Sequence, residues 1–347
     1  MKCNLDCSYC PSEIYGGHDN STSHPPLEDC LKTIDFMYKY IDQAMKSRAT
    51  SIRHVVLNVY GGESLHHPQI EEILKQVRAQ HEPYKSQWSL TVTTTTNLVI
   101  NHRKLSRIIP YVDEFTVSYH TEASDRQKQQ FKSNILTIKN SGTRIKCVVL
   151  MHAEPELFQD AQQQISWCRE NDVRCLPRQL DHFENATQFN YDQKQVVWFN
   201  KEYSRRSYNV ETVIDEATLQ QETVDLALVG RSCCGGRQLC SNENYKERQA
   251  FVNNRFTEWY CSVDKFFLYI KQVTGEVFVN KDCKMNYEGK VGPIGTLDNS
   301  QALIDAYNST PTIQCKKWRC FCGLCAPKAQ TLEEYHSVMK KYEKREI

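Results

Sequence analysis

The sequence predicts a mixed α/β protein: a parallel sheet, closed as a barrel or open, followed by a small cysteine-rich domain that contains a β-hairpin. Three observations predict this organisation. Short apolar runs alternate with stretches of helical period through the first half of the chain. A cluster of three cysteines stands at the start, and nine of the 16 cysteines follow residue 230, around one hairpin pattern.

The apolar periodicity predicts a long helix and then about five strand–helix repeats. Apolar residues at spacings of three and four predict the first amphipathic helix, and its apolar face consists of Leu27, Leu31, Ile34, Met37, Tyr38, Ile41 and Met45. The predicted strands are His54–Tyr60, Leu90–Thr95, Glu114–Tyr119, Arg144–Met151 and Val173–Leu176, with helices between them. In parallel barrels the chemistry is found at the carboxyl ends of the strands, so those ends are the expected positions of site residues.

Composition excludes several classes of protein. The 347 residues are 40% hydrophobic and 24% charged, which is typical of a globular protein. No run approaches the ~20 apolar residues of a membrane span, so no membrane partner is expected. The cysteines have the spacing of metal ligands and not that of a short secreted disulfide scaffold. We therefore expect a reducing cytoplasm, which for a viral protein is the host cytoplasm.

The first cysteines form a C-x3-C-x2-C pattern, Cys3, Cys7 and Cys10. Three thiolates on so short a loop suit a soft metal. An iron–sulfur cube held by three thiolates leaves one iron open to another ligand. The alternatives are a zinc knuckle without its fourth ligand and free thiols at a terminus.

This pattern, with an aromatic residue before its last cysteine, resembles the signature of the radical S-adenosylmethionine (radical SAM) enzymes. The resemblance implies a partial (βα)6 TIM-like barrel, a 4Fe–4S cluster on the three cysteines, and S-adenosylmethionine (AdoMet) chelating the fourth iron. It also implies an external electron donor of flavodoxin or ferredoxin type, and Tyr9 beside the adenine. Family barrels begin with a strand before the cysteine loop. That strand is either missing here, or the true start lies upstream of Met1.

Further residues of the family pattern stand at predicted strand ends. Gly61-Gly62-Glu63 follows the first strand and resembles the glycine-rich motif that receives the amino group of the cofactor. The second predicted strand ends at Thr96-Asn97, which is similar to the threonine–asparagine strand end that the family has beside the cofactor. The third contains Ser118, at a position where the family often has a hydroxyl near the ribose of the cofactor. Each has a structural alternative, because Gly-Gly-Glu is a common turn and threonines favour strands. His120 is a candidate for the substrate pocket, although a lone histidine is more often a structural residue.

The C-terminal cysteines surround a predicted hairpin, Phe266–Lys271 and Glu276–Asn280, with a turn at Thr274-Gly275. This tail resembles the twitch or SPASM extensions of radical SAM enzymes, which implies one or two auxiliary iron–sulfur clusters. The spacing of these cysteines departs from that of the family, so the assignment of ligands to clusters stays open. The alternative is a zinc-ribbon-like structural module. The candidate ligands are Cys234, Cys240, Cys261, Cys283, Cys315, Cys320, Cys322 and Cys325. Cys147, Cys168 and Cys175 are interpreted as core residues.

The predicted domains are a barrel over residues 1–185, a helical linker over 186–230, an auxiliary domain over 231–330 and a C-terminal helix over 331–347. The first and last cysteine segments resemble a phage-associated set linked to hypermodified thymine in DNA, including isomerisation of an amino-acid substituent. DNA is therefore the predicted substrate, with Arg237, Lys316, Lys317 and Arg319 as basic contacts. The alternatives are a ribosomal-peptide maturase, which the expected lack of a leader-binding domain disfavours, a small-molecule enzyme, and a non-catalytic electron carrier. General acid, base and radical-quenching residues are not identified by the sequence.

Overall fold

The structure is a computed structural model, and it groups the chain into two compact units. One comprises Met1–Leu27 and His54–Asn209, and the other comprises Glu28–Arg53 and Val210–Ile347. No helix in the described part of the chain is long and apolar enough to span a membrane. The residues described are 3–10, 24–47, 54–180, 190–207, 256–261, 263, 267–272, 274–279, 283, 285–288, 290–309, 313–316 and 328–344.

A five-stranded parallel sheet forms the centre of the first unit, with its strands side by side in chain order. This confirms the predicted mixed α/β class and is the arrangement expected of a partial barrel. The strands are β1 (His54–Val59), β2 (Ser89–Thr96), β3 (Glu114–Tyr119), β4 (Arg144–Met151) and β5 (Cys175–Gln179). Because all five run in parallel, their carboxyl ends meet at one edge of the sheet.

Helices follow the strands and cover one face of the sheet. In β3, Phe115, Val117 and Tyr119 are buried, whereas Thr116 and Ser118 between them are only half-buried. This alternation assigns the apolar face to the helical layer. The helices of this unit are α2 (Ile70–His81), α3 (His102–Ile108), α4 (Asp125–Asn140), α5 (Pro155–Glu170) and α6 (Gln193–Ser207).

The last strand differs from its predicted bounds. The sequence predicted that it would end before Pro177, but β5 runs through Pro177 to Gln179. Proline lacks a backbone N–H, and it is tolerated here because β5 pairs only with β4 in the described sheet, which makes it an edge strand.

The second unit begins with α1 (Leu27–Ser47), the helix that the apolar period predicted. Phe36 and Tyr40, which were not assigned to its apolar face, are buried in a cluster with Val277, Leu303 and Ile304. The helix therefore packs within the C-terminal unit although it stands early in the sequence.

The predicted hairpin is present in this unit. Strands β7 (Tyr269–Lys271) and β8 (Glu276–Phe278) are antiparallel, and Gly275 turns between them at φ 66°. The N–H of Gly275 donates to the carbonyl of Lys271 at 2.9 Å. The other elements are β6 (Tyr260–Cys261), β9 (Gly295–Thr296), α7 (Ser300–Ser309), β10 (Ile313–Gln314), β11 (Lys328–Ala329) and α8 (Leu332–Lys344).

Candidate active site

The N-terminal cysteine loop lies at the carboxyl end of the parallel sheet. The side-chain amide of Asn4 donates to the carbonyl of Val99 at 3.0 Å, just beyond the end of β2. The Asn97 amide donates to the Asn4 amide oxygen at 2.7 Å, and its nitrogen is 3.7 Å from Cys3 Sγ. The strand end therefore holds the loop through two asparagines, one of which the sequence identified.

The other side of the loop contacts the residues that follow β3. Cys7 Sγ lies 3.2 Å from His120 Nδ1, and the Tyr9 hydroxyl lies 3.0 Å from the same nitrogen. The Tyr9 and His120 rings are stacked, with centroids 5.9 Å apart and planes at 2°. Tyr9 therefore packs on His120, while its predicted place beside an adenine stays a prediction.

Glu122 fixes the middle of the loop, and the sequence analysis did not identify it. One carboxylate oxygen accepts from the Ser8 N–H at 2.8 Å, and the other accepts from the Ser8 hydroxyl. His152, just after β4, lies 3.7 Å from Glu122. Both residues closely follow strands, so their position after a strand end is the signal that could have identified them.

Glu63 links the ends of β1 and β2. Its carboxylate is 1% exposed and accepts from the Leu65 N–H at 3.1 Å, the Thr96 hydroxyl at 2.7 Å and the Asn97 N–H at 2.6 Å. Burial raises the pKa of the Glu63 carboxyl, and these three hydrogen bonds oppose the rise. The observed contacts are internal, and direct contact of Glu63 with a cofactor stays a prediction.

The two glycines before Glu63 have backbone conformations that other residues rarely adopt. Gly61 has φ 115° and Gly62 has φ 49°. Such a turn leaves backbone without side chains at the edge of the sheet, where a ligand can approach closely. Ser118 lies near the carboxyl end of β3 on the half-buried face.

The thiols of the loop are close enough to affect one another. Burial raises the pKa of Cys7 to about 12, and the charges of Glu122, Cys3 and Cys10 add to the rise. Burial also raises the pKa of Cys3. Burial lowers the pKa of His120 to about 4, so this ring is neutral at pH 7. The protein by itself therefore holds protonated thiols beside a neutral imidazole.

Three predicted auxiliary ligands fall within the described residues. Cys261 is buried in an apolar cluster with Val263 and Ile313, and Cys283 packs against that cluster. The N–H of Cys315 donates to the carbonyl of Trp259 at 2.9 Å, beside the pairing of β6 with β10. Outside the described residues lie Cys234, Cys240, Cys320, Cys322 and Cys325, and the basic residues Arg237, Lys317 and Arg319.

The predicted basic contact that is described, Lys316, forms an ion pair. Its ammonium lies 2.7 Å from the Glu258 carboxylate and 3.1 Å from the Gln314 side-chain oxygen. A phosphate would have to compete with Glu258 for this ammonium.

Comparison with known proteins gives a likeness of fold. No family model matches the chain, and no curated protein matches it significantly. A solved structure of hexahistidine-tagged anSMEcpe with bound AdoMet is similar, with a TM-score of 0.53 and 11% identity over 88% of this chain and 76% of that one. Native anSMEcpe with bound AdoMet has a TM-score of 0.51 and 13% identity, over 88% of this chain and 78% of that one. The same protein with bound AdoMet and Kp18Cys peptide has a TM-score of 0.51 and 10% identity, with the same coverage of both chains. At these identities the likeness shows the fold.

Proposed function

We propose that the protein is a radical SAM enzyme. The observation that carries this proposal is the loop of Cys3, Cys7 and Cys10, held at the carboxyl end of a parallel sheet beside the Gly61-Gly62 turn. The shared fold with AdoMet-bound structures supports it. A non-catalytic electron carrier would need neither the glycine turn nor the ordered strand ends.

The residues present fit the implied cluster. Cysteine thiolates are the donors by which proteins hold iron–sulfur clusters, and three in place of the usual four leave one iron open to a small ligand. Because burial holds the Cys3 and Cys7 thiols protonated, binding of iron releases their protons, and assembly is favoured by raised pH. A cluster held by Cys3, Cys7 and Cys10 would supply the electron for the reductive cleavage of AdoMet.

The chain itself orients and shields this site. Glu122 and Asn97 hold the loop from two strand ends, and Glu63 fixes the backbone of Asn97. We propose that the Gly61-Gly62 backbone approaches the amino acid part of the cofactor. Tyr9, Thr96 and Ser118 line the remaining cofactor site in this proposal. In this proposal an external donor of flavodoxin or ferredoxin type reduces the cluster.

Cofactor cleavage tests this function. Anaerobically reconstituted and reduced protein should form 5′-deoxyadenosine from AdoMet, measured by liquid chromatography with mass spectrometry. Replacing Cys3, Cys7 and Cys10 together by alanine should abolish the product. Cys30→Ala is the matched control, because Cys30 is a buried cysteine of α1 that the proposal does not use. Product from the triple variant, or none from the wild type, would refute the assignment.

We further propose one or two auxiliary iron–sulfur clusters in the C-terminal unit. The position of Cys283 against the cluster that contains Cys261 supports a shared site. Iron and sulfide analysis of the triple cysteine variant tests it, because about four irons with matching sulfide should remain for each auxiliary cluster. More than one zinc ion per chain, without sulfide, would favour a structural ribbon in the C-terminal unit instead.

For the substrate we propose a thymine in phage DNA that carries an amino-acid substituent, which the enzyme isomerises. The resemblance of the two cysteine segments to phage-associated proteins supports this choice. A stacked base cannot enter a site at the end of a barrel, so the nucleotide must be flipped or single-stranded. A peptide is the second candidate, since a structure of anSMEcpe holds the Kp18Cys peptide.

The two substrates are separated by turnover and by salt dependence. DNA with aminoacyl-modified thymine should yield a rearranged nucleoside of unchanged mass, detected by mass spectrometry and NMR. Binding should weaken steeply with salt, because phosphate contacts release counterions. A peptide in a groove would bind with weaker salt dependence. If the protein cleaves AdoMet but neither modifies the DNA nor binds it in a salt-sensitive way, DNA is rejected as the substrate. The radical SAM assignment then remains intact.

A further inference from the structure

Three cysteines that the sequence analysis interpreted as core residues converge on one point of the first unit. The Sγ atoms of Cys147, Cys168 and Cys175 all lie within 4.8 Å of one another. They come from β4, α5 and β5, three consecutive elements of the sheet and its helical layer. Cys147 and Cys168 are fully buried, whereas Cys175 is half-buried and gives access from solvent.

Short connections bring the three side chains together. Cys175 is the first residue of β5 and pairs in register with Cys147. Cys168 belongs to the last turn of α5, where its carbonyl accepts from the Val173 N–H at 2.8 Å. The group therefore lies toward the amino end of β5, whereas the N-terminal cysteine loop contacts residues beyond the carboxyl ends of the strands. It is separate from the candidate active site.

We propose that Cys147, Cys168 and Cys175 bind a single zinc ion. Thiolates select soft or borderline metals. With zinc–sulfur bonds of about 2.3 Å, tetrahedral geometry places the sulfur atoms about 3.8 Å apart, so these side chains need only small adjustments. Thiolates around a cube of four irons stand farther apart, because each is bonded to a different iron. The close spacing thus favours one ion over a cluster.

A neighbouring side chain gives independent support. Gln164 is 1% exposed, and its side-chain amide donates to Cys168 Sγ at 3.4 Å. The oxygen of the same amide has no hydrogen-bond partner among the described residues. A buried acceptor without a partner is destabilising. In this proposal the Gln164 oxygen either binds the zinc as its fourth ligand or accepts a hydrogen bond from a water in that position.

The charges also suit zinc. Binding follows Zn²⁺ + 3 RSH → Zn(SR)₃⁻ + 3 H⁺, and leaves one negative charge in a buried place. Lys132 is near enough to interact electrostatically with Cys168, and its ammonium lies over the Trp167 ring at 5.5 Å from the centroid. Copper(I) would leave two negative charges, and iron(II) binds such ligands more weakly than zinc. The bound ion fastens edge strand β5 to β4 and α5.

Site-specific alkylation of the full-length protein tests the proposal. Anaerobic protein is treated with chelator, then incubated with zinc sulfate or magnesium sulfate and labelled with N-ethylmaleimide, and labelling of Cys175 is measured by peptide mass mapping. Because only the free thiolate reacts readily, zinc should slow labelling of Cys175 about tenfold or more, whereas magnesium should not. Cys168→Ala should abolish the zinc effect, and Cys30→Ala should preserve it.

Three outcomes would overturn the proposal. Equal labelling of wild-type Cys175 with and without zinc would show that zinc does not bind there, and this arm needs no variant to fold. Zinc protection that survives Cys168→Ala would show that Cys175 is shielded in another way. Protection of Cys175 by iron(II) at a lower free concentration than zinc would reject the choice of metal.

Discussion

At the residue scale, Glu63 joins the ends of β1 and β2 within the candidate site. It accepts three hydrogen bonds in a nearly solvent-free position, from Leu65, Thr96 and Asn97. Burial raises the pKa of its carboxyl, and the three hydrogen bonds oppose that rise. Its role in the described contacts is to fix the shape of two strand ends.

Glu63→Ala should therefore destabilise the first unit. The substitution leaves three buried donors without an acceptor, so we expect a loss of about 3 kcal/mol in the free energy of unfolding. Urea denaturation followed by circular dichroism measures it. Glu71→Gln is the control, because Glu71 forms an exposed ion pair with Arg107 and should change stability by less than about 1 kcal/mol. Wild-type stability in Glu63→Ala would contradict the structural role.

His81 predicts a dependence of stability on pH. It is buried at the end of α2, with its ring 4.5 Å from that of Trp88. Burial, and then the charges of Lys85 and Arg78, hold the pKa of His81 below its usual range. The unfolded chain therefore binds a proton near pH 6.5 that the folded chain does not, and stability falls as the pH drops below that value.

The variant His81→Phe should lose this dependence. Between pH 7 and 5 the wild type should lose stability relative to the variant by up to about 1.4 kcal/mol for each pH unit. Urea denaturation at several pH values measures the difference. His102→Gln changes an exposed histidine at the start of α3 and should run parallel to the wild type. Identical pH profiles for wild type and His81→Phe would refute the prediction.

At the element scale, Glu122 connects the cysteine loop to the end of β3. Loss of its hydrogen bonds to Ser8 should loosen the loop without unfolding the sheet. Hydrogen bonds to a charged group contribute about 1.5–3 kcal/mol, so Glu122→Ala should lose iron to a chelator about tenfold faster or more. Glu156→Gln, an exposed change in α5, is the control. Unchanged iron release from Glu122→Ala would show that the contact does not stabilise the loaded loop.

The elements were predicted well where local signals are strong. Short runs of apolar and β-branched residues between helical stretches predicted the five parallel strands of the described sheet, because such residues favour strands. The end of β5 was missed because proline is compatible with a strand only at an edge, and edge position is a property of the assembled sheet. The second apolar face of α1, with Phe36 and Tyr40, was missed because its partners stand more than 200 residues later in the chain.

The site was predicted only in part for a similar reason. Cys3, Glu63 and Asn97 carry motif spacing, and the structure brings them together. Glu122 and the group of Cys147, Cys168 and Cys175 carry none, since their partners are set by the register of parallel strands. A family motif identifies residues by their local spacing, whereas Glu122 and the three cysteines can be recognised only when the folded sheet brings their partners together.

At the scale of the whole molecule, the two units are interleaved in sequence. Helix α1 lies between the cysteine loop and β1, yet it groups with residues 210–347. Its Phe36 is 4% exposed and packs with Val277, Leu303 and Ile304. The stability of the C-terminal unit thus depends on a segment from the first fifth of the chain, a dependence that a linear division into domains does not express.

Replacing Phe36 by alanine should therefore weaken the C-terminal unit. Removing a buried phenylalanine costs about 3–5 kcal/mol, through lost burial and the cavity that remains. Hydrogen exchange with mass spectrometry should show faster exchange in β8 and α7, with protection retained in β2, β3 and β4. Leu136→Ala is the control, because Leu136 is an exposed side chain of α4 and its truncation should change neither unit appreciably. Faster exchange confined to the parallel sheet would show instead that α1 stabilises the first unit, and would contradict the grouping of α1 with the C-terminal segment.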